Sequence, residues 1–169
     1  MVDILMGDTE EEINPYSGRT MLRRLDVRKP EMMWEEAAFE STDAERVPAA
    51  YYIPAALATP VERLQAHGIQ LERLLQPAGN LQLEEFQIET SAAAAQAFEN
   101  HKERTVTGKW APAERSFPAG AYRVSMSQPL ARLAFYLLEP RSNDGLMTWN
   151  FLDDAIKDGK VYPILRTRN

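Results

Sequence analysis

The most regular alternation of apolar and polar positions in the chain lies shortly after its midpoint. Tyr122, Val124 and Met126 alternate with Arg123 and Ser125 behind the turn residues Pro118-Ala119-Gly120, the period-two pattern of a half-buried strand. The period then changes: Leu130, Leu133, Ala134, Leu137 and Leu138 recur at helical spacing and predict an amphipathic helix facing the core. Pro129 suits its first turn, with Ser127 or Gln128 before it as a cap, and Pro140 stops it. Ser142-Asn143-Asp144-Gly145 predicts a tight turn, and Met147, Trp149 and Phe151 at alternate positions predict a second strand over 146–151.

The same patterns predict shorter elements elsewhere. Residues 21–28 place Leu25 and Val27 on one strand face, Lys29-Pro30 predicts a turn, and 31–35 a short strand containing Trp34. Residues 47–54, bracketed by Pro48 and Pro54, predict a buried strand at a sheet edge. Thr59-Pro60-Val61-Glu62 has capping-box spacing and predicts a helix that Gly68 ends. Residues 81–90 read as a strand whose apolar phase slips, which a bulge at Glu84-Glu85 would reconcile. Residues 91–98 predict a short helix or a connection, 104–110 a strand, 111–116 a loop, and 161–166 a last strand held at an edge by Pro163. The expected architecture is mainly β to α+β: a single β-sandwich-like domain with about two short helices. Residues 1–20, acidic and poor in apolar groups, are expected to form a flexible arm or linker ahead of one domain over 21–169.

Length, charge and composition narrow the chemistry. One domain of 169 residues buries a core without staples, and with no cysteine there is neither a disulfide framework nor a thiolate metal site. A net charge of −6 argues against a nucleic-acid partner, and the absence of a long apolar run argues against a membrane span. The start, MVDILMGDTEEE, lacks the basic and apolar regions of a signal peptide.

The run QPLARLAFYLLEPRSNDGLMTWNF resembles a segment near the carboxyl end of bacterial proteins of the zinc carboxypeptidase family, those related to carboxypeptidase A. The resemblance is carried by Gln128, Pro129, Leu130, Leu137, Leu138, Glu139, Pro140, Ser142, Asp144, Gly145, Leu146, Trp149 and Asn150, with a fainter echo in PAAYYIPA at 48–55. It implies a noncatalytic C-terminal accessory domain whose partner is a catalytic peptidase domain in cis. Any export signal would then lie upstream, with a periplasmic or secreted location.

The family's zinc site needs two imidazoles and a carboxylate, the first two ligands as His-x-x-Glu. His67 is followed at that spacing by Gln70 and His101 by Arg104, so no catalytic or metal residue transfers; zinc is expected only in the parent's catalytic domain, and no cofactor in this chain. Asp153, Asp154 and Asp158 lack the alternating oxygen ligands of an EF-hand and read as a solvated turn. Glu139 stands at a helix C-terminus, where a carboxylate needs compensation; an ion pair or backbone hydrogen bonds fit, with docking or ligand contact by Glu139 and Arg141 as the other reading. Asp144 reads as turn chemistry with the same second reading. Trp34 and Trp110 would form a peptide or glycan platform if exposed, although all three tryptophans lie in apolar patterns and read first as core. An accessory domain predicts an apolar patch left exposed on the chain. A binding module for peptide or glycan is the alternative, and an enzyme in its own right a third.

Overall fold

The computed structural model describes residues 2–36, 38, 40, 44–157 and 159–168. It is β-rich with three short helices, in the mainly β to α+β class, and it divides into two compact units, Met1–Glu45 and Arg46–Asn169.

The first unit is a strand ribbon. β1 (Val2–Met6) pairs antiparallel with β4 (Lys29–Met33), and β2 (Thr9–Ile13) with β3 (Thr20–Arg24). Position 20 therefore lies within a paired hairpin, and the division falls after Glu45. Lys29-Pro30, expected as a turn, lies inside β4, with Pro30 opposite Leu5. The turn instead occupies 14–19, where Asn14 accepts from the backbone N–H groups of Tyr16 and Ser17.

The second unit is one six-stranded antiparallel sheet in the order β6-β9-β5-β10-β7-β8. These are β5 (Ala50–Ile53), β6 (Glu72–Arg73), β7 (Ala78–Ala93), β8 (Arg104–Phe117), β9 (Tyr122–Ser125) and β10 (Leu165–Thr167). Helices α1 (Ala58–Ala66), α2 (Ala131–Leu138) and α3 (Asp153–Ile156) contribute to the larger core. That core joins Tyr51, Ile53, Phe86 and Val124 of the sheet to Leu64, Ala134, Leu138, Met147 and Leu152; a smaller cluster holds Leu83, Phe117, Ala121 and Leu165.

This two-sided sheet corrects several expectations. Leu83 belongs to the smaller cluster and Phe86 to the larger, so the phase slip in 81–90 marks a change of buried face. No bulge is needed at Glu84-Glu85, which pair regularly with Pro112 and Ala111; the register shifts fall between Ala78 and Leu81 and between Ile88 and Thr90. β5 and β10 are interior strands, because Pro48, Pro54 and Pro163 lie just outside them and remove no ladder bond. β7 continues to Ala93 and β8 to Phe117, absorbing the expected connection and loop through mutual pairing.

The expected strand over 146–151 is a sequence of turns. Leu146 N–H donates to Leu137, Trp149 N–H to Gly145 and Phe151 N–H to Leu146, while Asn150 takes φ 65°. Leu146, Met147 and Thr148 are consecutively buried, which an alternating strand face does not provide. α1 begins at Ala58 with Leu57 as its cap residue and no side-chain capping bond, so Thr59 lies inside it; Gly68, at φ 79°, does end it.

Candidate functional site

Helix α2 carries the first candidate surface. The helical stripe predicted to face the core divides in two: Ala134 and Leu138 are fully buried, whereas Leu133 and Leu137 are half-buried and Leu130 is 38% exposed. Phe135 and Tyr136 extend the apolar character around the helix, so one turn cannot bury all of it against a single sheet. Pro129, Leu130, Leu133, Phe135 and Tyr136 line an open groove of about 550 Å³, with Arg132 at its side.

A second concavity, about 360 Å³, lies where α1, α2 and the turns after Asp144 converge. Leu133, Tyr136 and Leu137 line it from α2, Leu146, Trp149 and Phe151 from the turns, and Arg63 and His67 from the end of α1. Spacing explains the last pair, since residues four apart share a helical face. The Arg63 guanidinium carbon stands 5.1 Å from the Phe151 ring centre, a cation–π geometry. Asp144 also lines the cleft, but its carboxylate accepts the Trp149 indole N–H, and Tyr136 donates its hydroxyl to Asn143 Oδ1 at 2.5 Å. The other side of the Trp149 system is stacked against the His101 ring at 4.2 Å, and His101 Nδ1 lies 2.9 Å from Asn150 Oδ1.

Glu139 faces the interior. Its carboxylate accepts the Tyr51 hydroxyl at 2.5 Å and lies 3.3 Å from Arg166 Nη1. Arg166 also donates from Nε to Glu84 at 2.8 Å and lies over the Trp110 ring, 4.0 Å from its centre; Arg46 reaches the same Glu84 oxygen at 2.6 Å. Burial and the nearby Glu139 charge push the Tyr51 phenol well above its ordinary range, and burial does the same to Tyr162, whose hydroxyl donates to the Leu138 carbonyl at 2.9 Å. The cluster therefore offsets the charge at the end of α2, ties α2 to strands β5, β7 and β10, and keeps both tyrosines neutral.

The sequence-predicted residues are thus dispersed. Asp144 reaches the cleft, Glu139 the buried ion cluster, and Arg141 an exposed turn beyond α2. Trp110 packs edge-on against Phe86 beside Arg166, its Nε1 buried and without a hydrogen-bond partner. Trp34 is 75% exposed just after β4, contrary to its reading as core, because the ribbon supplies no second layer to cover it. The sequence reading missed Arg63, Tyr136 and Phe151 as cleft residues and Arg166, Glu84 and Tyr51 as partners of Glu139. The only sequence signal for the cleft was the cluster of aromatics around the Asp144 turn.

Among the described residues, no group of three His, Asp or Glu side chains is placed to hold a metal ion. His67 lines the cleft and His101 bonds to Asn150, so the residues do not fit the zinc site of the resembled family. Arg104 binds Asp153 through Nε and Nη2 at 2.7 and 3.0 Å, which gives that acidic turn a structural partner; Asp158 lies outside the described residues. No described helix is long and apolar enough to cross a membrane.

No protein-family model matches the chain, and no solved structure matches it. The chain is similar to the Carboxypeptidase 2 of Trichophyton equinum, 29% identical over 122 residues, which cover 72% of this chain and 22% of the relative. It is similar to the Carboxypeptidase 2 of Trichophyton tonsurans at 29% identity over 120 residues, 70% of this chain and 22% of the relative. These relatives are fungal, whereas the sequence resemblance pointed to bacterial proteins. The match thus spans about a fifth of the length of the curated relatives.

Proposed function

We propose that this chain is a noncatalytic accessory region of a carboxypeptidase-like protein, packed in cis on a catalytic domain that it stabilises or whose substrate access it shapes. The observation that carries the reading is the outer face of α2, where Leu130 and Tyr136 remain 38% and 41% exposed beside half-buried Leu133 and Phe135. Contiguous exposed apolar surface of this kind marks interaction sites. The short span of the match supports the same reading, because most of each relative lies outside it. Zinc and the catalytic residues then belong to the parent's catalytic domain. An export signal upstream of this region would make the parent periplasmic or secreted.

The test is the mass of the native protein in its source cells, detected with an antibody against this chain. A species several tens of kilodaltons heavier than 19.2 kDa is expected, and a single 19 kDa species without a precursor would overturn the proposal. In the parent, Leu130→Glu with Tyr136→Glu should loosen the contact with the catalytic domain while the region itself stays folded, since both side chains are partly solvated.

An autonomous peptide- or glycan-binding module is the second reading, and the exposed Trp34 indole favours it. Retention on a peptidoglycan or polysaccharide column, lost in Trp34→Ala, is its expected signature. Absence of retention by the intact chain would exclude it for those polymers.

A further inference from the structure

Strand pairing in the first unit sorts its apolar side chains by face. In the β1–β4 ladder Leu5 lies opposite Pro30 and Asp3 opposite Met32, so these four positions share one face, and the alternation continues to Trp34 just past β4. Leu5, Met32 and Trp34 are 61%, 59% and 75% exposed. In the β2–β3 ladder Ile13 lies opposite Thr20 and Glu11 opposite Leu22, again on a common face, where Ile13 and Leu22 are 64% and 68% exposed. Each ladder thus leaves one face of large apolar groups in water, because a two-stranded ribbon has no second layer to cover it.

Two further properties indicate the chemistry of what covers these faces. Five of the seven methionines, Met1, Met6, Met21, Met32 and Met33, fall in this unit, and their unbranched thioether chains suit an adaptable binding surface. The unit also holds 12 acidic and 5 basic residues, net −7. Arg23 pairs with Glu10 and Glu12, and Lys29 with Asp8, whereas Asp3, Glu11, Glu35 and Glu36 are exposed and make no ion pair among the described residues. Asp3 and Glu11 stand on the two apolar faces themselves, and Glu35 and Glu36 follow Trp34 directly.

We propose that the ribbon over residues 3–36 is a docking surface for a basic amphipathic segment of another protein. The segment's apolar side chains cover Leu5, Met32 and Trp34, and its lysines or arginines meet the carboxylates of Asp3, Glu35 and Glu36. Charge complementarity selects this occupant. An acidic or neutral segment would leave the carboxylates uncompensated, and a phosphate backbone or an anionic bilayer would be repelled by the same net charge. Apolar burial supplies affinity, while the charges supply encounter rate and orientation. This inference goes beyond the accessory reading, because it concerns the first unit rather than α2 and holds whether or not a catalytic domain is attached.

Titration of dye-labelled peptides with the full chain, read by fluorescence anisotropy, tests it. Two lysine–leucine peptides, one with its leucines at strand spacing and one at helical spacing, are compared with counterparts in which serine replaces leucine or glutamine replaces lysine. At least one lysine–leucine peptide should bind roughly tenfold or more tightly than both of its counterparts, and added salt should weaken it. Tryptophan emission should shift to the blue on binding, and the shift should vanish in Trp34→Phe, which leaves Trp110 and Trp149 as the remaining indoles. Leu5→Ser with Met32→Ser should weaken binding about tenfold or more. Glu35→Gln with Glu36→Gln alters charge beyond the last paired strand without touching a ladder, and should weaken binding about threefold or more. Serine peptides that bind as tightly as leucine peptides, an emission shift undiminished in Trp34→Phe, unchanged affinity in the Glu35→Gln, Glu36→Gln variant, or no binding of any peptide up to about 1 mM would overturn the proposal.

Discussion

The Tyr51 hydroxyl donates to Glu139 at 2.5 Å from a fully buried position in β5, and Tyr162 is equally buried beside the end of α2. Both phenols are held above their ordinary range, first by burial and then by the Glu139 charge. The sign of the pH effect follows from proton counting. Above about pH 10 the unfolded chain loses both phenolic protons while the folded chain keeps them, so stability is fully present below pH 10 and falls as the pH rises. Well above pH 10 the slope from these two groups approaches about −3 kcal/mol per pH unit, and Tyr51→Phe should remove about half of it. At neutral pH the same substitution deletes a hydrogen bond to a charged group and should cost about 1.5–3 kcal/mol. Urea unfolding of both proteins between pH 7 and 11.5 measures both effects; parallel pH curves would refute the assignment of Tyr51. Glu139 was legible as a charge needing compensation because helix electrostatics are local. Its partners were not, since Tyr51 and Arg166 lie 88 and 27 residues away and meet it only through sheet pairing.

At the scale of elements, the β7–β8 pair depends on one small residue. A Cβ at Gly108 would lie 2.0 Å from the Gln87 carbonyl oxygen and 2.8 Å from Phe86 Cε1, next to the register shift between Ile88 and Thr90. Backbone cannot yield there as a flexible side chain could, so Gly108→Ala should destabilise the second unit by at least about 1–3 kcal/mol and disturb the pairing around Ile88. Gly79, in the same pair of strands, is the control: its added Cβ would meet only Ser116 Oγ at 3.8 Å, and Gly79→Ala should change stability by less than about 1 kcal/mol. Chemical denaturation reads the difference, and similar losses in both variants would contradict the close-approach argument. β9 and α2 were legible because each keeps one period over its whole length. Residues 146–151 were not, because alternating apolar residues also satisfy a chain of turns that buries consecutive positions. Nor could the pattern show which part of the α2 stripe would be left uncovered, since that depends on what α1 and the turn residues occupy. The cleft and the groove arise from this leftover surface.

At the scale of the whole molecule, charge and burial are divided unequally. Residues 1–45 hold 12 acidic and 5 basic residues, net −7, leaving 13 acidic and 14 basic residues, net +1, for the remainder. Among the described residues, every buried hydrophobic one lies between Ala50 and Leu165, so the first unit has no core of its own. Its ladders are two-stranded, and such hairpins are at best marginally stable in water. Cross-strand ion pairs such as Lys29–Asp8 are exposed and add little to that stability. The second unit has what cooperative unfolding requires: a six-stranded sheet, two apolar clusters and a buried ion network. A fragment comprising residues 46–169 should therefore unfold in one cooperative transition, whereas a peptide of residues 1–45 should show a weak circular dichroism signal that changes gradually on heating. A sharp transition in the short peptide would demonstrate a stabilising core that its burial pattern lacks. Loss of cooperativity in the longer fragment would show that the acidic ribbon is needed to complete the sheet unit's fold.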